Sequence, residues 1–225
     1  MFSHSLSRSS RVIAAASITF VLAVGASSIA APQASSSPFP GLELVNSKSI
    51  DRLYRRADVE VSAYDKILLA EPTVEFSKNW NPRNYGTFGL SAEQLKKIRV
   101  DLANLAKSTF AKVLADGGYQ IVTAAGDGVV EITPNIVNLY ISAPDTQTTG
   151  RSRTYTMDAG SMALALQVSD SVTGTLLAVA YDQKRASGGV TWQWTTSVSN
   201  RAAASRILTG WAEQLKRELD AARAK

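Results

Sequence analysis

Few residues in this chain are able to do chemistry. The only histidine is His4, and no cysteine occurs in the 225 residues. His4 falls in an N-terminal stretch read below as a leader, so the rest of the chain offers neither imidazole nor thiol. That removes a Ser-His-Asp triad, a cysteine nucleophile and a standard zinc site. No S-x-x-K, GxGxxG or phosphate-loop motif is present, and the GDG at Gly126 to Gly128 reads as a turn. Carboxylate chemistry remains, as in glycoside hydrolysis, which asks for two acids at a set separation. Glu75, Glu131, Asp170 and Asp182 are candidates because they lie near predicted strands. A solvated strand end is the plainer reading of each.

Aromatic and arginine side chains offer contact with a partner instead, because these types dominate binding energetics. The polar loop from Asn79 to Gly89 carries Trp80, Arg83 and Tyr85, and the stretch from Thr146 to Asp158 carries Arg151, Arg153 and Tyr155. These six are the candidate partner contacts. No catalytic, cofactor-binding or metal-binding residue is assigned. A loop anchored by its own aromatics is the bland alternative for the first group, and a mobile loop for the second. Trp192 and Trp194 share one strand face. They suit a platform for sugar rings or peptide, or an edge packed under the last helix against Trp211. The packed edge is favoured, since paired tryptophans bury large area.

The elements that must carry these residues begin after a leader. Arg8 and Arg11 precede Val12 to Ala31, which holds no charge and ends in small residues. That order is a secretory signal peptide over residues 1–30, cut after Ala30; an uncleaved anchor is the competing reading. Residues 31–49 read as a flexible Pro- and Ser-rich linker, and residues 50–225 as one globular domain. No transmembrane segment is expected after cleavage, which places the protein in the periplasm or outside the cell. The formal charge of +5 is spread along the chain, so nucleic acid is not an expected partner.

IDRLYRRADVEVSAYDK could hold one short helical turn, and KILLAEPTVEFS reads as a buried strand interrupted at Pro72. Ser91 then opens a helix, with Gln94 at the capping-box position and a stripe of Leu95, Ile98, Leu102, Leu105, Thr109 and Val113. Gly117 and Gly118 end it. Tyr119 to Thr123 is a short strand, and VVEITPNIVNLYIS is a longer one whose phase shifts near Pro134. SMALALQVSD and LLAVAYD make a hairpin, and the small residues on its second face fit a surface covered by a helix. Ala204, Ile207, Leu208, Trp211, Leu215 and Leu219 form the stripe of a closing helix from about Asn200. The expected fold is α+β, a mainly antiparallel sheet of about five strands packed against two amphipathic helices.

VSAYDKILLAEPTVEF, the Trp80–Tyr85 loop before a helix, the hairpin GSMALALQVSDSVTGTLLAVAYDQK and the terminal amphipathic helix together resemble a bacterial family. It is domain of unknown function 3313, composed largely of predicted envelope lipoproteins. The resemblance spans Leu42 to Leu219, with DSVTG-x-LLA as its most specific part. It implies export from a Gram-negative bacterium and a single domain, and it brings no activity or functional residues. This chain has no cysteine after its signal to carry a lipid. The function expected is an exported, non-catalytic binding or assembly domain of the cell envelope. It would act on an envelope protein or cell-wall component without a cofactor. The alternative is a carboxylate-dependent hydrolase of cell-wall glycans.

Overall fold

The computed structural model describes residues 37–57, 59, 61–84, 89–142, 155–156, 158–187, 193–194 and 197–223. The expected signal peptide, residues 1–30, lies outside them. The strands are β1 (Glu43–Val45), β2 (Arg52–Arg55), β3 (Lys66–Leu69), β4 (Val74–Phe76), β5 (Gln120–Val122), β6 (Val129–Ile141), β7 (Tyr155–Thr156), β8 (Asp158–Asp170), β9 (Leu176–Ser187) and β10 (Gln193–Trp194). Helix α1 (Ala92–Asp116) follows β4, and α2 (Ser197–Arg223) follows β10. Strands β1, β2, β9, β8, β6, β3 and β5 lie side by side in that order, with β4 on the far half of β6. Strands β7 and β10 form a separate pair.

The fold is α+β, but the sheet corrects the expectation of about five mainly antiparallel strands. It has eight strands and is mixed. Strand β3 runs parallel to both β5 and β6, and β4 runs parallel to β6. The ladders from β1 through β8 to β6 are antiparallel. A helix between two strands is the connection that parallel pairing needs, and α1 supplies it between the β3–β4 arm and β5. The N-terminal arm is the second correction. Strand β1 lies inside the expected linker 31–49, and β2 was not expected, although the one short helical turn expected in residues 50–66 is present at Val61–Ala63. Pairing Leu53 with Ala180 draws β2 onto β9, and Leu42 is 2% exposed. Strands of three and four residues offer too few positions for alternation to reveal them.

Two prolines divide the neighbours of β6. Ile136 donates its amide to the Thr73 carbonyl, so Pro134, two residues earlier, would aim its missing amide at the same side. The gap between β3 and β4, which contains Pro72, lies there. Asn135 Oδ1 fills it by accepting from Thr73 N (3.0 Å) and Thr73 Oγ1 (2.8 Å). The register of β6 on β8 runs unbroken through Pro134, and the bulge comes later, between Val137 and Tyr140, with Asn138 at φ +53°. At Gly160, on β8 opposite that bulge, an added Cβ would run into the Tyr140 carbonyl.

Helix α1 starts as its sequence predicts. Gln94 N donates to Ser91 Oγ (3.2 Å) and Ser91 N donates to Gln94 Oε1 (2.8 Å), which closes the capping box. Its buried stripe is Leu102, Ala106, Phe110 and Leu114, rotated from the predicted one, of which Leu102 is buried and Ile98, Leu105 and Val113 are partly buried against the same core. An i, i+4 series drifts about 40° per step around a 3.6-residue helix, so the contact line winds across the twisted sheet. The helix α2 stripe is the expected one, with Leu208, Trp211, Leu215 and Leu219 all buried.

Both helices join one core cluster with Leu164, Leu166 and Val168 of β8. The helices therefore cover the large-residue face of β8, and no described helix covers the face bearing Ala163, Ala165 and Gln167. On β9 the reverse holds. Ser169 pairs with Leu176, but Val168 pairs with Ala178 and Leu166 with Ala180, so Leu177 is a surplus residue. That bulge turns the small face of β9 toward α2.

Emptying the Phe110 site should show where α1 packs. Phe110→Ala is expected to cost about 3–5 kcal/mol and Lys96→Ala no more than about 0.5 kcal/mol. Denaturant midpoints measure both, and equal midpoints would refute this packing.

Candidate binding cavity beneath the second helix

Small residues on β9 leave room under α2. Ala178 and Ala180 face the helix between Leu53 of β2 and Leu166 and Val168 of β8. Trp211, Leu215 and Leu219 of α2 roof that gap, and the cavity between has a volume of about 100 Å³. Its walls are aliphatic apart from a few polar groups at the ends.

One end is closed by Asp182, 2% exposed. Its Oδ2 accepts from Trp211 Nε1 at 2.6 Å and from Lys184 Nζ at 2.9 Å, and its Oδ1 accepts from Asp51 N at 3.2 Å. Asp51 Oδ2 returns a bond by accepting from Gln183 N at 2.9 Å, so the two aspartates extend the β2–β9 ladder through their side chains. Asp182 is therefore a buried, saturated core group and not the solvated strand end its sequence suggests.

The other end is held by the last turn of α2. Tyr119 donates to Asp220 Oδ1 at 2.7 Å, and the Arg223 guanidinium lies 4.3 Å over the Tyr119 ring. Arg223 also donates to the Tyr64 carbonyl (2.6 Å), while the Tyr64 hydroxyl donates to Asp170 Oδ2 (3.0 Å). Burial, then the bond to Asp220, pushes the Tyr119 phenol up to about 12, and burial followed by Asp170 raises Tyr64. Asp220 is held below the usual carboxylate range, first by Lys216 and then by Tyr119. Asp170 is lowered chiefly by the Thr173 amide and hydroxyl, because it caps the hairpin turn.

The residues singled out in the sequence are not gathered at this cavity. Trp80 is a correction: it is 6% exposed, stacks on Phe76 with ring centroids 4.5 Å apart, and donates Nε1 to the Ile141 carbonyl. It anchors its loop and has no face to offer a partner. Arg83 is exposed on the turn Pro82–Asn84. Tyr85, Arg151 and Arg153 lie outside the described residues, as does the Tyr155 side chain, whose backbone pairs with Trp194. Trp192 also lies outside. Glu75 is exposed and Glu131 half-buried on separate strands.

Among the described residues no cluster of three or more His, Cys, Asp or Glu side chains could hold a metal ion. None of their helices is long and apolar enough to cross a membrane. The cavity residues escaped sequence reasoning because alternation shows two faces per strand but not which faces are shared. The one available signal was the alternation of Ala178, Ala180 and Asp182.

Fold and cavity define an α+β domain with a small apolar chamber under its last helix. The chain belongs to the family described as "Protein of unknown function (DUF3313)", which matches residues 33–215. No curated protein matches it. Among solved structures it is similar to the PelC dodecamer from Paraburkholderia phytofirmans, at 10% identity over 70% of this chain and 94% of that one, with a TM-score of 0.33. It is also similar to a Xanthomonas campestris protein of family DUF330, at 14% identity over 69% and 83%, with a TM-score of 0.38. A putative neuraminyllactose-binding hemagglutinin homolog from Helicobacter pylori is similar at 12% identity over 72% and 94%, with a TM-score of 0.37.

The Tyr119 phenol gives this region a pH signature. Its value rises from 10.0 to about 12 on folding, so its stabilisation is complete below pH 10 and disappears as pH climbs through about 12. Stability measured across that window should fall in the native chain, and Tyr119→Phe should flatten the fall. An unchanged slope in the variant would show that Tyr119 is not the group responsible.

Proposed function

We propose that this chain is an exported, non-catalytic binding domain of the bacterial cell envelope that takes an apolar group into the cavity beneath α2. The observation that carries this reading is a mostly apolar cavity of about 100 Å³ between α2 and the sheet, open to solvent at its margin. Protein interiors pack to crystal-like density with few voids larger than a water molecule. An engineered apolar cavity of roughly 150 Å³ stays dry and takes up benzene, so this smaller one, open at its margin, suits a short alkyl chain whose polar end stays outside.

Export is supported by the basic, apolar and small-residue order of Arg8 to Ala31, which favours a periplasmic or secreted location. Binding is favoured over glycan hydrolysis by the state of the acids. Asp182 is saturated by Trp211, Lys184 and Asp51, and Asp170 is committed to its turn. Neither is left to transfer a proton to substrate.

The probe for this reading is 1-pentanol, followed by NMR. Its addition should shift resonances of Leu166, Ala180 and the Trp211 indole and leave those of α1 unmoved. Ala180→Leu should abolish the shifts, at an overpacking cost of about 1–3 kcal/mol that circular dichroism can follow. Should that variant unfold, Ala178→Val tests the same volume. Shifts that survive in a folded, cavity-filled variant would overturn the proposal.

A further inference from the structure

We infer that the cavity is an acceptor site for a small aliphatic carboxylate, with Arg55 binding the carboxylate and the Ala178–Ala180 gap binding the tail. The inference rests on the cavity reading above and adds the charge of its ligand.

Arg55 alternates with Leu53 on β2, and its register partner is Ala178, whose side faces the helix. An arginine on that face of a short strand is unusual, because the positions around it are aliphatic. It is half-buried and borders the cavity. The other cations near the cavity are committed. Arg56 donates Nε to the Leu176 carbonyl (3.0 Å), Arg223 is fixed by Tyr64 and Tyr119, and Lys184 neutralises Asp182. The Arg55 side chain makes no hydrogen bond or ion pair with a described residue. Glu43 lies opposite it in the β1–β2 register and Glu218 also borders the cavity, yet neither is paired with it.

A guanidinium with its whole planar fork uncommitted matches a carboxylate in bidentate geometry. The aliphatic walls ask for an apolar tail, and the cavity volume keeps that tail short. A charge turned inward beside a sheet edge can also serve only to discourage strand addition. The two roles differ in one measurable way: a guard charge has no preference for an anion inside the cavity.

The test compares pentanoate with 1-pentanol by NMR titration at one pH and ionic strength, in the native chain and in Arg55→Gln and Glu218→Gln. Pentanoate should bind the native chain more tightly than pentanol. Arg55→Gln should weaken pentanoate about tenfold or more, the loss expected for one charge-assisted pair, and leave pentanol within about twofold. Glu218→Gln should tighten pentanoate by removing a like charge. If pentanol binds but Arg55→Gln leaves pentanoate unaffected, the carboxylate inference falls and the cavity reading stands. If neither ligand binds the native chain, both fall.

Discussion

One surplus residue in the β8–β9 hairpin decides which side chains meet α2. With Ser169 opposite Leu176, an unbroken ladder would pair Val168 with Leu177 and Leu166 with Val179. The bulge instead pairs them with Ala178 and Ala180. Because side chains alternate with a period of two, a one-residue step exchanges the two faces of everything that follows. Without it, Val179 and Tyr181 would fill the space under Trp211, and Asp182 would point away from the helix. The cavity and its polar stop thus share one cause. The turn that precedes the bulge is held by Asp170, which accepts from Val172 and Thr173, and by Gly174 at φ +69°.

A helix laid over alanines would normally sink until the gap closed. Helix α2 is held off by polar pins at both ends of the cavity. Toward its middle, the Trp211 indole is fixed to Asp182, a buried charge that also takes an ammonium and a backbone amide. At its end, Tyr119, Asp220 and Arg223 tie the last turn to the loops before β3 and β5. Buried charges are retained only when donors surround them, and removing one partner leaves the other uncompensated. Moving the helix inward would stretch these bonds, so the space between the pins persists.

The helix boundaries, the hairpin and its glycine turn were legible because each depends on neighbours in sequence: Ser91 with Gln94, Asp170 with Thr173. What escaped depends on partners distant in sequence. Parallel pairing of β3 with β6 is indistinguishable, residue by residue, from antiparallel pairing of the same apolar runs. The stripe of α1 admitted either three- or four-residue steps, and only the sheet beneath set Phe110 and Leu114 at its centre with Leu105 and Val113 at its flank. Trp80 looked like a contact residue because its neighbours in sequence are polar. Its neighbours in space are Phe76 and the Ile141 carbonyl. Nothing in RLYRR distinguishes Arg55 from Arg52 and Arg56; its pairing with Ala178 is what fixes the direction it faces.

Asp182 and Arg55 are both inward charges on adjoining strands, and their difference separates architecture from recognition. A fully enclosed charge with unsatisfied valence is too costly to keep, so Asp182 exists only with its donors in place and has nothing left to give. Arg55 stands at the half-buried margin of the cavity, where water can serve its donors while the site is empty. Exchange of that water for a carboxylate keeps every donor satisfied, and the tail gains by leaving water for an aliphatic wall. The same exchange is closed to Asp182, because displacing Trp211 or Lys184 would strand a charge in the core.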